Sequence, residues 1–198
     1  MKIVIIKYNA GNVQSVQYAL ARLGFSANIS DDHNEIINAD KVIFPGVGNA
    51  YSAMESLKAK NLDTVIKGLS QPVLGICVGM QLLCNRSEEN DTKGLGLINL
   101  DVKKFVSVNP QKKIPHMGWN TLSNLKSELL SGVNDNAYVY FVHSYYAEVG
   151  EETIATTSYF QNFSAIVKKN NFYGVQFHTE KSAEVGDVIL SNFLNMKS

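Results

Sequence analysis

The chain has two cysteines, four prolines and one tryptophan in 198 residues, and its eighteen basic residues are cancelled by eighteen acidic ones. Each scarcity excludes something. Balanced charge, with no run of Lys or Arg interleaved with aromatics, leaves nothing to draw a polyanion, so nucleic acid is not an expected partner. No apolar run approaches the ~20 residues of a membrane span. The opening Met1-Lys2-Ile3-Val4-Ile5-Ile6 is too short for a signal peptide and reads as a first buried strand, so no membrane association and a cytoplasmic location are expected. Cys77 and Cys84, on one helical pattern, would stand roughly 10 Å apart along its axis, too far for a disulfide, and both thiols are expected reduced. Also missing are Cys-x-x-Cys and His-x-x-x-His spacings, a third glycine after Gly46-Val47-Gly48, and a Walker A loop. Zinc, NAD and ATP are therefore not indicated, and no cofactor or metal is expected. The Asn-x-Ser/Thr triplets at Asn85, Asn90 and Asn162 carry little meaning without export.

What is present is a hydrophobic fraction of 45%, enough for a sizeable core, and a length suited to one domain over residues 1–198. In the first half, apolar runs alternate with helical patterns. Ile3 to Ile6 precedes a helix carrying Val13, Val16, Leu20 and Leu23 and stopped by Gly24; Lys41-Val42-Ile43-Phe44 precedes Pro45-Gly46-Val47-Gly48; Val73 to Ile76 precedes Met80-Gln81-Leu82-Leu83. This order implies an α/β fold with a mostly parallel central sheet flanked by helices. From about residue 97 the pattern is strand-rich: Ala137 to Val149, Thr153 to Phe160, and Ala165 to Lys168 turning through Lys169-Asn170-Asn171 into Phe172 to His178. These are expected to form antiparallel hairpins that extend the sheet. A last helix with Val185, Val188, Ile189 and Phe193 on one face should pack on it.

The chemistry concentrates at Gly75-Ile76-Cys77-Val78-Gly79-Met80-Gln81. A cysteine with glycine at both second neighbours, between an apolar strand and a helix, reads as a sharp elbow of the kind that exposes a nucleophile. The glycines are expected to permit the bend and leave room for a substrate. At a helix start the positive end of the dipole favours the thiolate. Cysteine without such context is most often a small buried hydrophobe. Cys84, which has no glycine bracket and follows Leu82-Leu83, supplies that contrast within the same helix. Far along the chain, the strand pattern Phe172 to Phe177 delivers His178, and the period of two puts His178 and Glu180 on one side. A nucleophile, a base and an orienting carboxylate are then all available.

Over essentially its whole length the chain resembles the class I, or triad-type, glutamine amidotransferases, and more closely the glutaminase subunits of imidazole glycerol phosphate synthase. The resemblance rests on Gly11-Asn12, Pro45-Gly46-Val47-Gly48, Gly75 to Leu83, Gly94-Leu95-Gly96-Leu97, Pro115-His116-Met117-Gly118-Trp119-Asn120, His143-Ser144-Tyr145 and His178 to Ser182. The Pro-His-Met-Gly-Trp-Asn stretch is the most specific to that subgroup. Three positions depart from the family pattern: Lys7 where Asp is usual, Asn9 where Gly is usual, and Thr179 where the histidine motif usually has Pro. Threonine is at ease in a strand and keeps the spacing, so slightly looser alignment of His178 is expected rather than loss of activity.

The resemblance implies the class I amidotransferase fold and a glutaminase with Cys77 as nucleophile, His178 as base and Glu180 as its orienting partner. It implies oxyanion donors at the Val78 amide and the Val47 amide, the latter on a peptide that rotates inward, so the isolated chain is expected to be a poor glutaminase activated by its partner. It places Gly48, Gln81, Glu89, Ser144 and Tyr145 around the carboxylate and amino group of glutamine. Without it, Glu89 in Ser87-Glu88-Glu89-Asn90-Asp91 would read as part of a solvated acidic loop. It also turns Pro115, His116, Met117, Trp119, Asn120 and Lys181 into an interface with a (β/α)8 cyclase subunit that receives ammonia. A Trp in a Gly/Pro-rich loop would otherwise be packing, and His116 and His143 ordinary hydrogen-bonded histidines with no catalytic role. Three rivals remain: a glutaminase serving another synthase, such as one amidating a surface sugar; a non-catalytic binding subunit of the same fold; and a cysteine peptidase on a similar fold.

Overall fold

Strands buried on both faces need continuous apolar runs, and helices covering them need one apolar stripe. The computed structural model of the chain describes residues 1–9, 12–107 and 111–196. Gly11, one of the positions carrying the resemblance, lies outside the described residues. In chain order the elements are β1 (Ile3–Ile6), α1 (Val13–Arg22), β2 (Ala27–Ser30), α2 (His33–Ile37), β3 (Lys41–Gly46), α3 (Ala50–Ala59), α4 (Leu62–Lys67), β4 (Val73–Cys77), α5 (Val78–Leu83), β5 (Arg86–Ser87), β6 (Thr92–Lys93), β7 (Asp101–Lys104), β8 (His116–Thr121), β9 (Tyr138–His143), β10 (Tyr145–Ala147), β11 (Thr153–Ser158), β12 (Asn162–Lys169), β13 (Phe172–Val175) and α6 (Ala183–Asn195).

The large sheet has the order β11-β12-β13-β4-β3-β1-β2. Five strands, β2, β1, β3, β4 and β13, run parallel, and β12 and β11 add the antiparallel edge. β1, β3, β4 and β13 are buried throughout, as their apolar runs require; Lys41, which opens β3, is buried as well and donates to the Met196 carbonyl at 2.7 Å. The site grows from the centre of this sheet. β4 carries Cys77 at its C-terminal end, with β3 on one side and β13 on the other, so Gly46 stands opposite Cys77 and Val175 opposite Ile76.

Two expectations need correction. β11, β12 and β13 join the large sheet through antiparallel pairs, as expected; the Ala137 to Val149 segment instead splits between a two-stranded pair, β8 with β9, and a four-stranded sheet of order β10-β7-β5-β6. Local alternation marks a strand but not its partner, and pairing is decided by which other strand packs nearby. On α6 the buried side is Gly186, Ile189, Leu190, Phe193 and Leu194, while Val185 and Val188 sit half-buried at its margin. α1, by contrast, ends as expected, with Leu23 as its cap and Gly24 at φ 83°.

Candidate active site

Cys77 closes β4 and caps α5 with φ 54° and ψ −112°. A left-handed φ on a residue with a Cβ costs about 1–3 kcal/mol and persists only where the surroundings impose it. The flanking glycines impose it, though not by supplying the bend as expected. Neither takes a positive φ. A Cβ on Gly79 would fall 1.9 Å from the Phe44 carbonyl oxygen, and one on Gly75 2.8 Å from the Met80 amide nitrogen. They bring α5 against β3 and β4, and the cysteine bears the strain.

The structure also corrects the strand argument for His178. β13 stops at Val175, and His178 caps a single 3-10 turn over Thr179–Lys181. That turn, not a strand repeat, sets His178 Nδ1 2.9 Å from Glu180 Oε1. The His178 amide donates to the Tyr140 carbonyl at 3.0 Å. The Ser182 hydroxyl donates to the His178 carbonyl at 2.6 Å and accepts from the Tyr140 amide at 3.0 Å, which fastens the turn to β9. Thr179 opens the turn, where proline is well suited, and its hydroxyl and Glu180 Oε2 are both buried without a hydrogen-bond partner among the described residues. Ease in a strand is thus not what accommodates Thr179.

A carboxylate only accepts, so Nδ1 of His178 carries a hydrogen and Nε2 is the ring nitrogen left to hydrogen-bond the Cys77 sulfur. Burial pushes the His178 imidazole down, but hydrogen bonds to the Cys77 sulfur and to Glu180, with the charges of both, outweigh it and hold it up at about 10. The pair is poised as an imidazolium beside sulfur. The Cys77 sulfur also lies 3.8 Å from the Val142 carbonyl oxygen and 3.8 Å from Gln176 Nε2.

Cys77 and His178 share a pocket of about 380 Å³, within the usual range for small-molecule sites. Val47, Gly48, Val78, Gln81, Glu89, Ser144 and Tyr145 line it. Glu180 stands behind His178, outside the lining. Gln81 Nε2 donates to the Tyr145 carbonyl at 2.9 Å and to Gln176 Oε1 at 3.0 Å, so both its hydrogens are used and only its oxygen is free to accept from a ligand. One oxygen of Glu89 accepts from the Ala50 amide at 2.6 Å, leaving the other. Gln176 was missed at the sequence level. A lone amide in the apolar run Phe172 to Phe177, two residues before His178, was the available signal.

The expected interface residues divide. Pro115 and Lys181 line the pocket's mouth, and Met117 and Trp119 are 62% and 51% exposed. Trp119 stands on strand β8 rather than in a loop, opposite Tyr140. Alternation along β8 turns His116 inward, and it is buried, so its place at a surface interface is corrected. Its Nδ1 lies 3.0 Å from His143 Nε2, and Asn120 Nδ2 lies 3.2 Å from His116 Nε2. His143 Nδ1 must donate to the Tyr145 carbonyl at 2.7 Å. That fixes the whole chain of donors: Asn120 to His116, His116 to His143, His143 to Tyr145, every ring neutral. Burial, reinforced for His116 by Lys112, lowers that imidazole to about 4. Burial likewise lowers His143, to about 3, against the Tyr145 hydrogen bond and with help from His116 and His178.

Known proteins share this sequence pattern and this fold. The family described as Glutamine amidotransferase class-I matches residues 4–196. Two solved structures share the fold at low identity: one titled glutamine amidotransferase (TM-score 0.73, 16% identity, 96% of each chain) and PurLQS from Thermotoga maritima (TM-score 0.72, 17% identity, 98% of this chain and 97% of that one). Curated relatives named imidazole glycerol phosphate synthase subunit HisH are 54% identical in Bacteroides fragilis, over 99% of this chain and 100% of the relative. The HisH of Blochmanniella floridana is 49% identical over the same shares. The chain belongs to the class I glutamine amidotransferase family and, within it, to the HisH subunits of imidazole glycerol phosphate synthase. No helix among the described residues is long and apolar enough to cross a membrane.

Proposed function

We propose that this chain, as one domain over residues 1–198, hydrolyses glutamine to glutamate and ammonia through Cys77, His178 and Glu180. Ammonia passes to a (β/α)8 cyclase subunit that forms imidazole glycerol phosphate and AICAR in histidine biosynthesis, in the cytoplasm. The observation that carries this reading is a cysteine on a strained elbow sharing one pocket with an imidazole that Glu180 holds in a fixed tautomer. The thiolate adds to the side-chain amide carbon, and the carbonyl π pair moves to oxygen. His178 then gives its proton to the departing nitrogen, the C–N bond breaks, and a thioester and ammonia result. Water, deprotonated by His178, cleaves the thioester to glutamate and restores the thiolate.

The oxyanion is met by the Val78 amide and, once its peptide rotates inward, by the Val47 amide. Val47 and Gly48 are exposed, Gly48 at φ 88°, on the segment that has to turn. The free oxygens of Gln81 and Glu89 are acceptors suited to the α-ammonium of glutamine. Gly48, Ser144 and Tyr145 offer backbone donors to its carboxylate. Pro115, Met117, Trp119, Asn120 and Lys181 form the docking face around the pocket mouth, and docking raises an otherwise low glutaminase rate.

The test is reconstitution with the cyclase subunit. Cys77→Ala should lose glutamine-dependent turnover of the ribulosyl nucleotide substrate by roughly 10,000-fold or more while turnover with added ammonia is kept. Glutamine-dependent turnover that survives in this variant would refute the reading.

A further inference from the structure

Tyr8 takes no part in the chemistry above, yet it is 2% exposed and sits under the site. Its hydroxyl donates to the Pro45 carbonyl oxygen at 2.7 Å, and its ring tilts against Phe44 with centroids 5.3 Å apart. Burial first, and then the negative charge of Cys77, push the phenol upward, so it remains a protonated donor throughout the working range. Proline has no amide N–H, so the carbonyl is the only backbone hydrogen-bonding group by which residue 45 can be held.

The clamp acts at a crossing point. Pro45 pairs with Ile76 and Gly46 with Cys77, and Val47 and Gly48 follow directly. A Cβ on Gly46 would lie 2.5 Å from the Gly79 amide nitrogen, 2.8 Å from the Tyr8 hydroxyl and 2.9 Å from Val78 Cβ. The end of β3, the start of α5 and the phenol therefore meet with no room for a methyl group. The strand end leads to the Val47 amide, and the helix start carries the Val78 amide.

We propose that Tyr8 is a positioning residue for the oxyanion hole: by holding the Pro45 carbonyl it anchors the end of β3, so that the Val47 peptide pivots into line with the Val78 amide. The inference rests on the glutaminase reading above. A peptide beyond a pinned carbonyl can rotate but cannot drift, and a donor is useful only within about 2.7–3.1 Å of the developing oxyanion. Tyr8 touches no reacting atom itself.

The experiment uses the full chain with its cyclase partner. Tyr8→Phe keeps the ring and removes the donor. Its glutamine kcat should fall about 10- to 100-fold, with KM changed less than about twofold. Alkylation of Cys77 by iodoacetamide, which needs the thiolate but no oxyanion donor, should keep the wild-type rate. Affinity for the aldehyde analogue of glutamine should weaken in step with kcat, because the thiolate adds to its carbonyl carbon and leaves an oxygen that needs the same donors. An unchanged kcat, or alkylation slowed as much as kcat, overturns the proposal. So does a Tyr8→Phe chain that fails to fold, which would assign the phenol to the core alone. Cys77→Ala in parallel separates the two readings: glutamine turnover persisting there sinks the glutaminase itself, whereas an inert Cys77→Ala beside a fully active Tyr8→Phe sinks only the role of Tyr8.

Discussion

His178 is 6% exposed, and His116 and His143 are 3% and 6% exposed, yet the first is held protonated to about pH 10 and the other two are held neutral down to about 4 and 3. Equal burial cannot produce opposite charge states. Burial lowers all three, and the partners decide the rest. His178 stands between the Cys77 sulfur and a carboxylate 2.9 Å away, two groups that reward a proton. The His116–His143 pair has an amide donor at one end and a carbonyl acceptor at the other, so each ring has one hydrogen to give and one lone pair to fill. A further proton there would set two N–H groups face to face. His143 borders the same pocket as His178, and its neutrality leaves His178 as the protonated imidazole beside Cys77.

The largest effect expected on this contrast comes from removing the carboxylate. Glu180→Gln should lower glutamine kcat by roughly 100- to 10,000-fold, the scale of disrupting an orienting acid. Because Glu180 helps to hold His178 up, the proton destined for ammonia is retained until pH rises through about 10, and the alkaline limb of kcat should move to lower pH in the variant. A pH profile with that limb unmoved would show that the charge of Glu180 does not separate the two environments.

The neutral side is sharpened by His116→Phe. It leaves His143 Nε2 without its donor and Asn120 without one acceptor, at about 1–3 kcal/mol, or a Tm lower by roughly 2–12 °C. Both histidines titrate in the fold below their ordinary 6.5, so the stability from keeping them neutral is complete above that value and is lost as pH falls toward 4. Wild-type Tm should therefore drop between pH 7 and pH 5, and drop less steeply in the variant. Equal slopes in differential scanning calorimetry would count against the pair.

The smallest effect is expected at Cys84, which closes the six-residue helix that Cys77 opens. Cys84 is fully buried, and burial, with Asp101, Glu152 and Glu148 adding to it, pushes its thiol up. Cys84→Ala should cost about 1 kcal/mol and leave glutamine turnover alone. Mass spectrometry after brief iodoacetamide treatment should find the label on Cys77; label on Cys84 in folded protein would erase the difference between the two ends of α5.

Much of this was written locally. The apolar runs of β1, β3 and β4, the helices between them, the stop at Gly24 and the elbow at Cys77 were legible because period, glycine and chain direction act within a few residues. What the sequence by itself determined is this parallel layering and the presence of a thiol at a strand end, with an imidazole and a carboxylate two residues apart far downstream. Only the tertiary structure decided that Gly75 and Gly79 serve packing while Cys77 takes the strain, that β8 pairs with β9 away from the large sheet, and that a turn rather than a strand joins His178 to Glu180. It also brought Gln176 to Cys77 across 99 residues and gave three equally buried histidines different charges. Such outcomes depend on which groups from distant segments come within a few ångströms, and electrostatics in a buried site is set by those neighbours rather than by residue type.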